Sequence, residues 1–304
     1  MITVNPLVTV VCLSYNQEKF IRESLDSVLN QTYKNIQVLL VDDGSDDRSA
    51  SILKEYQQKF TNAIFITHHQ NTGNCVAFNK AFKKSEGKYI IDFSLDDIML
   101  PDRIEKQVSF FESQPKEVGV IYTNSEYVDE NGDHVRYHFS EEDEKPEGII
   151  FKNLLARHII EPSSMMIRKK VLDDLKGYDE SLSYEDFDFW IRSSKSVQYA
   201  YLNEVLTKRR KSNQSYSTNF NLGKSAKLFH STVAVCEKAY SLCQDEEEID
   251  ALEERVRYEM KFALRKRQFS SVIRYIQLLK QMNRIKLFDK VVNFFSKVFF
   301  LKSS

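Results

Sequence analysis

In the N-terminal half of this 304-residue chain, short apolar runs rich in β-branched residues alternate with segments of helical periodicity. Four runs have the length and composition of buried strands. They are Val8 to Leu13, Ile36 to Val41, Ala63 to Thr67 and Tyr89 to Phe93. Because repeated β-α units with short connections give parallel strands, the sequence predicts an α/β fold with a doubly wound, mostly parallel sheet.

The alternation stops after a further strand at Val118 to Tyr122. The Asn131-Gly132 pair predicts a β-hairpin, and therefore an antiparallel or mixed part of the sheet. Ser163 to Arg168 has the pattern of a strand, and Glu185 to Ser194 that of a helix. From about Leu222 the remaining segments are all helical, so we expect a catalytic domain at 1–211 and a helical, basic C-terminal region at 212–304.

Charge is distributed unevenly along the chain. Residues 1–200 contain 23 Lys and Arg against 33 Asp and Glu, whereas residues 201–304 contain 20 against 11. The four cysteines lack metal-ligand spacing, and no apolar stretch approaches the roughly 20 residues that span a bilayer. With no basic start and apolar run at the N-terminus, we expect reduced thiols and a cytoplasmic protein.

Pairs of carboxylates stand at the ends of three predicted elements. Asp42-Asp43 and Asp96-Asp97 each follow a predicted strand, and Glu185-Asp186 open the predicted helix. Ligands bind at the carboxyl ends of parallel strands, so these acids are expected around one crevice. Breaking a bond to a diphosphate requires a cation that Asp96 can hold. Asp42 and Asp43 suit a base or ribose, and Asp186, with Glu185 beside it, suits general-base catalysis.

Each acidic group also has a local structural interpretation. Asp42 to Ser45 is common turn chemistry, and Asp96 and Asp97 could cap the helix that follows Pro101. Acids at the start of a helix, such as Glu185 and Asp186, favour its dipole without any catalysis. His68 and His69 read as surface or packing residues, and no histidine pair has metal-binding helix spacing.

The ordered set of motifs resembles family 2 glycosyltransferases, which have the A-type nucleotide-diphospho-sugar transferase fold. The resemblance covers roughly residues 7–210. The motifs are Val10 to Asn16, Val41 to Asp47, Asn71-Thr72-Gly73 with Ala77 and Asn79, Asp96-Asp97, and Glu185 to Arg192. The resemblance implies an inverting transfer from a nucleotide diphosphate sugar, with a UDP-sugar as the expected donor and Mg²⁺ or Mn²⁺ as the cofactor.

Carried over by position, the resemblance implies Asp96 as the metal ligand and Asp186, with Glu185, as the catalytic pair. The donor-side positions are Ser14, Tyr15, Asn16, Glu18, Asp42, Asp43, Asn71, Gly73, Ser94 and Asp97. Two positions depart from the family pattern. Ser94 stands where an acid is common, which puts metal affinity in question, and Phe78 stands where arginine is common, which removes a cationic contact to the donor.

The C-terminal 50 residues are strongly basic and carry an apolar helical stripe of Phe288, Val291, Val292, Phe295, Val298 and Phe299. Such a helix can lie in an anionic membrane interface, which would suit a lipid-linked glycan acceptor. The alternative is packing against the protein body or a partner subunit, as in a homo-oligomer. Nucleic acid is not an expected partner, because the aromatic residues do not interleave with the basic ones.

The sequence thus predicts a cytoplasmic, membrane-peripheral glycosyltransferase that extends a cell-surface polysaccharide or glycolipid. A nucleotidyltransferase is one alternative, but Ser14-Tyr15-Asn16-Gln17 stands where its Gly-rich basic loop would lie. A non-catalytic protein that binds sugar nucleotides is the other. Ser94 favours it and Asp186 argues against it.

Overall fold

The computed structural model describes residues 5–157, 159–211, 222–223 and 225–303. These form two compact units: residues 1–149, 160–180 and 193–212 make up the first, and residues 150–159, 181–192 and 213–304 the second. The predicted boundary at 211 and 212 falls at the edge of a segment outside the described residues. The division into a catalytic domain and a helical extension therefore stays a prediction.

The first unit is built on a nine-stranded sheet with the order β3-β2-β1-β4-β8-β6-β9-β5 and with β7 paired to β6. Its strands are β1 (Val8–Ser14), β2 (Ile36–Asp42), β3 (Ala63–Thr67), β4 (Tyr89–Ser94), β5 (Ile98–Met99), β6 (Val118–Val128), β7 (His134–Tyr137), β8 (Met166–Arg168) and β9 (Gln198–Arg210). Its helices are α1 (Ile21–Leu29), α2 (Ser49–Gln57), α3 (Asn74–Phe82), α4 (Arg103–Ser113) and α6 (Lys169–Leu175).

The four predicted strands form the parallel part of this sheet. β1 pairs in parallel with both β2 and β4, and β2 pairs in parallel with β3. All seven residues of β1 are buried, as expected for a central strand covered on both faces. Helix α1 buries Ile21, Leu25 and Val28, whose spacing places them on one face. The α/β fold class is therefore confirmed.

The sheet becomes mixed beyond β4. β8 is antiparallel to both β4 and β6, whereas β9 is parallel to β6. The predicted hairpin is present, since β6 and β7 are antiparallel and Gly132 adopts a φ of 93° in the turn between them. The strands after β4 thus form the mixed part of the sheet that the Asn-Gly signal predicts.

One local prediction is wrong, and one of the structural alternatives does not hold. The strand predicted over Ser163 to Arg168 is shorter, because Pro162 begins a 3₁₀ turn at Pro162–Ser164 and β8 starts only at Met166. Asp96 and Asp97 do not cap the next helix. The short strand β5 follows them, and α4 begins at Arg103.

The second unit is helical. It contains α5 (Phe151–Ala156), most of α7 (Asp186–Ser193), α8 (Ala226–Leu242), α9 (Glu246–Arg265), α10 (Phe269–Gln281) and α11 (Leu287–Ser303). Leu252, Val256 and Tyr275 are among its fully buried residues. The Asp245 side chain caps α9 by accepting from Glu248 N at 2.9 Å. No helix in the described part of the chain is long and apolar enough to cross a membrane.

Helix α11 exposes its apolar side. The predicted stripe is only partly as expected, because Val292 is buried and Leu287 and Phe294 are exposed instead. The side chain of Phe299 lies outside the described residues. On the opposite side, Asp289 is fully buried and accepts two hydrogen bonds from Arg257 Nη1, each at 3.2 Å. The helix is therefore held through a polar contact and leaves its large apolar side chains exposed.

Candidate active site

The carboxyl ends of the four parallel strands meet at one edge of the sheet. Ser14 at the end of β1 lies opposite Asp42 of β2, and Asp42 in turn lies opposite Thr67 of β3. On the other side of β1, Leu13 lies opposite Ser94 of β4. The sheet register thus brings together Ser14, Asp42 and Ser94, three of the predicted donor-side residues, as the switch-point rule requires.

Several buried polar atoms at this edge have no hydrogen-bond partner within the described part of the chain. They are Ser14 Oγ, Gln17 Oε1, Asp42 Oδ1 and His68 Nε2. The other oxygen of Asp42 accepts from Ser45 N at 3.2 Å, and Gln17 Nε2 donates to Ser94 Oγ at 3.2 Å. Buried polar groups are nearly always satisfied, so a polar ligand at this edge would account for the cluster.

The loop after β1 is fastened to the loop after β2. Asn16 has a φ of 52°, its backbone N donates to Ser45 Oγ at 3.0 Å, and its Oδ1 accepts from Asp46 N at 2.9 Å. Glu18 Oε2 accepts from the backbone N of Arg48 at 3.0 Å. Asn16 and Glu18 therefore hold the two loops together, whereas the ring of Tyr15 is 42% exposed.

Asp43 fixes the loop that precedes α3. Its Oδ1 accepts from Thr72 N at 2.9 Å and Thr72 Oγ1 at 2.6 Å, and its Oδ2 accepts from Gly73 N at 2.9 Å. His68 Nδ1 lies 2.7 Å from the same Oδ1. His68, read from the sequence as a surface or packing residue, is thus buried and bonded within the candidate site. Asn71, in the same loop, is exposed.

Gly44 allows the loops after β2 and β3 to touch. Its φ is 75°, and a Cβ atom added there would lie 2.4 Å from the backbone carbon of Gln70. Only glycine combines this backbone conformation with so close an approach. The Asp-Asp-Gly-Ser segment is therefore a turn that also brings the loops after β2 and β3 into contact at the candidate site.

Asp97 and Asp96 have different surroundings. Asp97 is buried, and its Oδ1 accepts from the backbone N of Arg210 at 2.9 Å. Burial and the neighbouring Asp96 raise the pKa of Asp97 well above its usual value, although Arg209 opposes the shift. Asp96 is half-buried, and its carboxylate makes no hydrogen bond or ion pair with any residue that the structure describes. Asp97 therefore has a structural role, and Asp96 is available to a ligand.

The residues fit a divalent cation only when a substrate completes its coordination. In the described ranges, no group of three or more His, Cys, Asp and Glu side chains is arranged to hold a metal ion. Mg²⁺ commonly takes one or two protein carboxylates together with phosphate oxygens and water. The unpartnered carboxylate of Asp96 suits that type of site, with Ser94 nearby in sequence as a neutral oxygen donor.

Arg210 was not identified from the sequence. Its side chain is buried, donates to Asp96 O at 3.1 Å, and forms an ion pair with Glu23 at 2.6 Å. Together with the backbone bond to Asp97, these contacts fix the backbone that carries both acids. No local sequence pattern marks this arginine, since its partner Asp97 is 113 residues away.

The motif that contains Asn79 holds the segment at residues 178–180 in place. Asn79 donates to Tyr178 O at 2.8 Å and Glu180 Oε1 at 3.0 Å. Phe78, which stands where arginine is common in the family, is fully buried and stacks on Tyr178 with ring centroids 4.2 Å apart. This motif therefore anchors a turn.

Glu185 and Asp186 belong to the second unit, where α7 begins at Asp186. The helix is anchored by Asp188, which is buried and bonded to Lys238 at 2.7 Å and Arg192 at 2.6 Å. Phe187 is also buried, under the guanidinium of Arg255 at 4.9 Å. Phe187 and Asp188 are thus buried in the first turn of α7, whereas Asp186 is half-buried.

A separate cavity of about 500 Å³ lies in the first unit and includes none of the predicted site residues. Its aromatic lining is Tyr137, Phe139 and Tyr201. Asn124 and Asn203 add amide groups to the wall. This mixture of rings and polar groups is typical of sites that orient a small polar ligand.

A mixed sheet whose parallel part carries acids and, among the described residues, unpartnered polar atoms at its strand ends is typical of α/β proteins that bind a ligand at this edge. The family model for glycosyl transferase family 2 matches residues 9–176, and the chain belongs to that family. The predicted family membership is therefore confirmed.

Proteins that are similar to this chain in sequence are also named glycosyltransferases. An uncharacterised glycosyltransferase of Methanocaldococcus jannaschii is 37% identical over 213 residues, which cover 67% of this chain and 71% of the relative. One from Rickettsia bellii is 32% identical over 68% of this chain, but the match spans only 30% of that protein. A putative teichuronic acid biosynthesis glycosyltransferase, TuaG of Bacillus subtilis, is 28% identical over 70% of this chain and 82% of its own length.

Solved structures show the same fold. S. aureus TarS in complex with UDP-GlcNAc superposes with a TM-score of 0.72 at 18% identity, covering 95% of this chain and 88% of that chain. The mannosyltransferase PcManGT from Pyrobaculum calidifontis, in complex with GDP-Man and Mn²⁺, gives a TM-score of 0.61 at 15% identity, covering 98% and 81%. The predicted A-type fold is therefore confirmed.

Proposed function

We propose that this glycosyltransferase moves a sugar, with inversion, from a UDP-sugar to a hydroxyl of a cell-surface glycan or a lipid-linked acceptor. The main support is the cluster of polar atoms at the strand ends, together with the carboxylate of Asp96, all of which lack a partner among the residues that the structure describes. A nucleoside would satisfy Ser14 and Asp42, and the exposed ring of Tyr15 would pack against it. The complexes of the structural relatives with UDP-GlcNAc and GDP-Man are consistent with a nucleotide sugar donor.

In this proposal Asp96 holds Mg²⁺ or Mn²⁺, with Ser94 nearby in sequence. When bound, such an ion neutralises the charge that develops on the diphosphate leaving group. Arg210 contributes by holding the backbone carbonyl of Asp96 in place. The Mn²⁺ in the structure of PcManGT supports a divalent cation of this kind.

Asp186 is proposed to take the proton of the acceptor hydroxyl, with Glu185 as its acidic neighbour. As the acceptor oxygen forms a bond to the anomeric carbon, the bond from that carbon to the diphosphate breaks and the proton moves to the carboxylate. A single displacement of this type inverts the anomeric centre. The contacts of Asp188 with Lys238 and Arg192 fix the helix turn that presents Asp186.

The acceptor is proposed to be a growing polysaccharide or glycolipid at the inner face of the cell membrane. The description of TuaG as a putative teichuronic acid biosynthesis glycosyltransferase supports a polysaccharide. The cavity lined by Tyr137, Phe139 and Tyr201 suits a sugar ring of such an acceptor. The exposed apolar face of α11 comprises Leu287, Phe288, Val291, Phe294, Phe295 and Val298, and we propose that it enters an anionic membrane interface.

The experiment is an assay of donor turnover with UDP-GlcNAc, other UDP-sugars and GDP-Man, with Mn²⁺ present. Asp186→Asn is expected to bind the donor as the parent does and to lose turnover by about 100-fold or more. Asp173→Asn, which changes an exposed acid of α6, is the matched control and should keep full activity. Normal turnover by Asp186→Asn would contradict its role as the base. Donor binding without turnover in the parent would favour a binding protein.

A further inference from the structure

Tyr127 of β6 lies between two arginines on neighbouring strands. It is paired with Arg136 of β7 on one side and with Arg209 of β9 on the other. Side chains that lie opposite one another on paired strands project from the same face of a sheet. The carbon atoms at the centres of the two guanidinium groups lie 4.1 Å and 5.7 Å from the centroid of the Tyr127 ring.

Lys211 adds a third cation to the same ring. It follows Arg209 by two residues, and its Nζ lies 4.8 Å from the ring centroid of Tyr127. Cations within about 6 Å of an aromatic centroid are attracted to its face. Arg136, Arg209 and Lys211 therefore converge on one ring, which is itself only 7% exposed.

One carboxylate lies within this cationic cluster. Glu161 is buried, and its Oε2 accepts from Arg209 Nη1 at 2.5 Å and from the Tyr127 hydroxyl at 2.6 Å. Arg136 and Lys211 are exposed, and neither forms an ion pair with a residue in the described ranges. The cluster consequently keeps a surplus of positive charge. Partial burial and repulsion from Arg136 and Arg209 lower the pKa of Lys211, consistent with that surplus.

The strand end that carries Arg209 and Lys211 is bonded to the segment that carries Asp96, the candidate metal ligand, and Asp97. Arg210 stands between Arg209 and Lys211 in sequence, and its backbone N and its side chain are bonded to Asp97 and to Asp96 O. Because side chains alternate along a strand, those of Arg209 and Lys211 project from the face opposite to the Arg210 side chain, so an anion held by them would lie at the same strand end but on the other face. Two guanidinium groups and an ammonium group match the charge and the several acceptor oxygens of a phosphate.

We propose that Arg136, Arg209 and Lys211 form a subsite that binds a phosphate group of a substrate. The role in sugar transfer rests on the proposed function. The phosphate has two sources, an acceptor that contains phosphate and the diphosphate of the donor. Tyr127 and Glu161 then act as the support that orients Arg209.

The test is calorimetric titration of the full chain with inorganic phosphate and, separately, with UDP. Arg136→Gln combined with Lys211→Ala should weaken phosphate binding at low salt by about tenfold or more. The matched control is Arg22→Gln combined with Lys170→Ala. It removes the same charge from two exposed cations that pair with Glu55 and Asp174 elsewhere on the unit.

A third titration, of phosphate into protein saturated with UDP, separates the two sources. For an acceptor phosphate, binding persists with UDP present and the UDP affinity of the double variant is unchanged. For the donor diphosphate, UDP blocks phosphate binding and the double variant binds UDP more weakly. Equal phosphate binding by the two double variants, or none by the parent, would overturn the subsite. Failure to bind any nucleotide sugar would instead count against the proposed function.

Discussion

The imidazole Nδ1 of His68 lies 2.7 Å from Oδ1 of Asp43, and both side chains are buried. The same carboxylate accepts hydrogen bonds from the backbone N atoms of Thr72 and Gly73. One acid at the end of β2 thus joins β3 and the loop that opens α3. Asp42, its neighbour, keeps one oxygen that has no partner among the described residues. Asp43 therefore stabilises the loops, whereas Asp42 is available to a ligand.

Asp43→Asn should destabilise the protein by about 2 kcal/mol, because an amide nitrogen cannot accept the bond from Gly73 N and the charge that strengthens the other bonds is lost. The measurement is urea unfolding followed by circular dichroism. Asp46→Asn is the control, since Asp46 is an exposed acid in the same loop. Equal midpoints for the two variants would contradict the supporting role of Asp43.

Gly44→Ala should cost at least about 2 kcal/mol, since it combines a positive φ with a Cβ atom that meets the backbone of Gln70 and Asn71. Gly132→Ala is the control, because that glycine also has a positive φ but nothing within 4 Å of an added Cβ. We expect thermal unfolding to show a clearly larger loss for Gly44→Ala. Similar losses would mean that the contact between the loops relaxes without cost.

The sequence predicts the parallel part of the fold well, because local pattern and long-range structure agree there. Apolar runs bounded by turn residues locate β1 to β4, and the rule for parallel sheets brings Ser14, Asp42 and Ser94 to one edge. The roles of His68 and Arg210 depend on approaches between distant segments, which no local pattern specifies. The 3₁₀ turn at Pro162 also replaced part of a predicted strand, since proline overrode the apolar pattern.

Asp47 should make stability depend on pH in the acid range. Burial disfavours its charge, but hydrogen bonds from Ser49 and from the backbone of Glu18 outweigh burial and lower the pKa of Asp47. In the unfolded state the pKa of aspartate is about 3.9. Between that pH and the lower pKa of folded Asp47, the unfolded state therefore binds more protons than the folded state. The stability that the charge of Asp47 contributes is fully present above the usual pKa of aspartate, and it is lost as the pH falls through the lower pKa of the folded state.

Asp47→Asn should accordingly be less stable than the parent by about 1 kcal/mol at neutral pH, and this difference in stability should narrow as the pH falls below the usual pKa of aspartate. Urea unfolding at a series of pH values measures the gap. Asp46→Asn again serves as the control. A gap that stays constant across the series would show that ionisation of Asp47 does not contribute.

The exposed face of α11 should control association with anionic vesicles. Phe294→Gln combined with Phe295→Gln removes two large exposed apolar groups and should reduce the bound fraction by about tenfold or more in a co-sedimentation assay. Tyr258→Gln is a control, because this aromatic residue is 60% exposed on another helix. Unchanged binding to vesicles, together with loss of a dimer in sedimentation velocity, would assign the face to a second copy of the chain.

Calorimetric titration with UDP-GlcNAc, other UDP-sugars and GDP-Man, with and without Mn²⁺, tests the central claim most directly when parent and Asp96→Ala are compared. We predict that the parent binds one of these donors more tightly with Mn²⁺, and that Asp96→Ala loses this gain without unfolding. The same gain in Asp96→Ala, or no donor binding by the parent under either condition, would contradict a donor site at the carboxyl ends of the parallel strands.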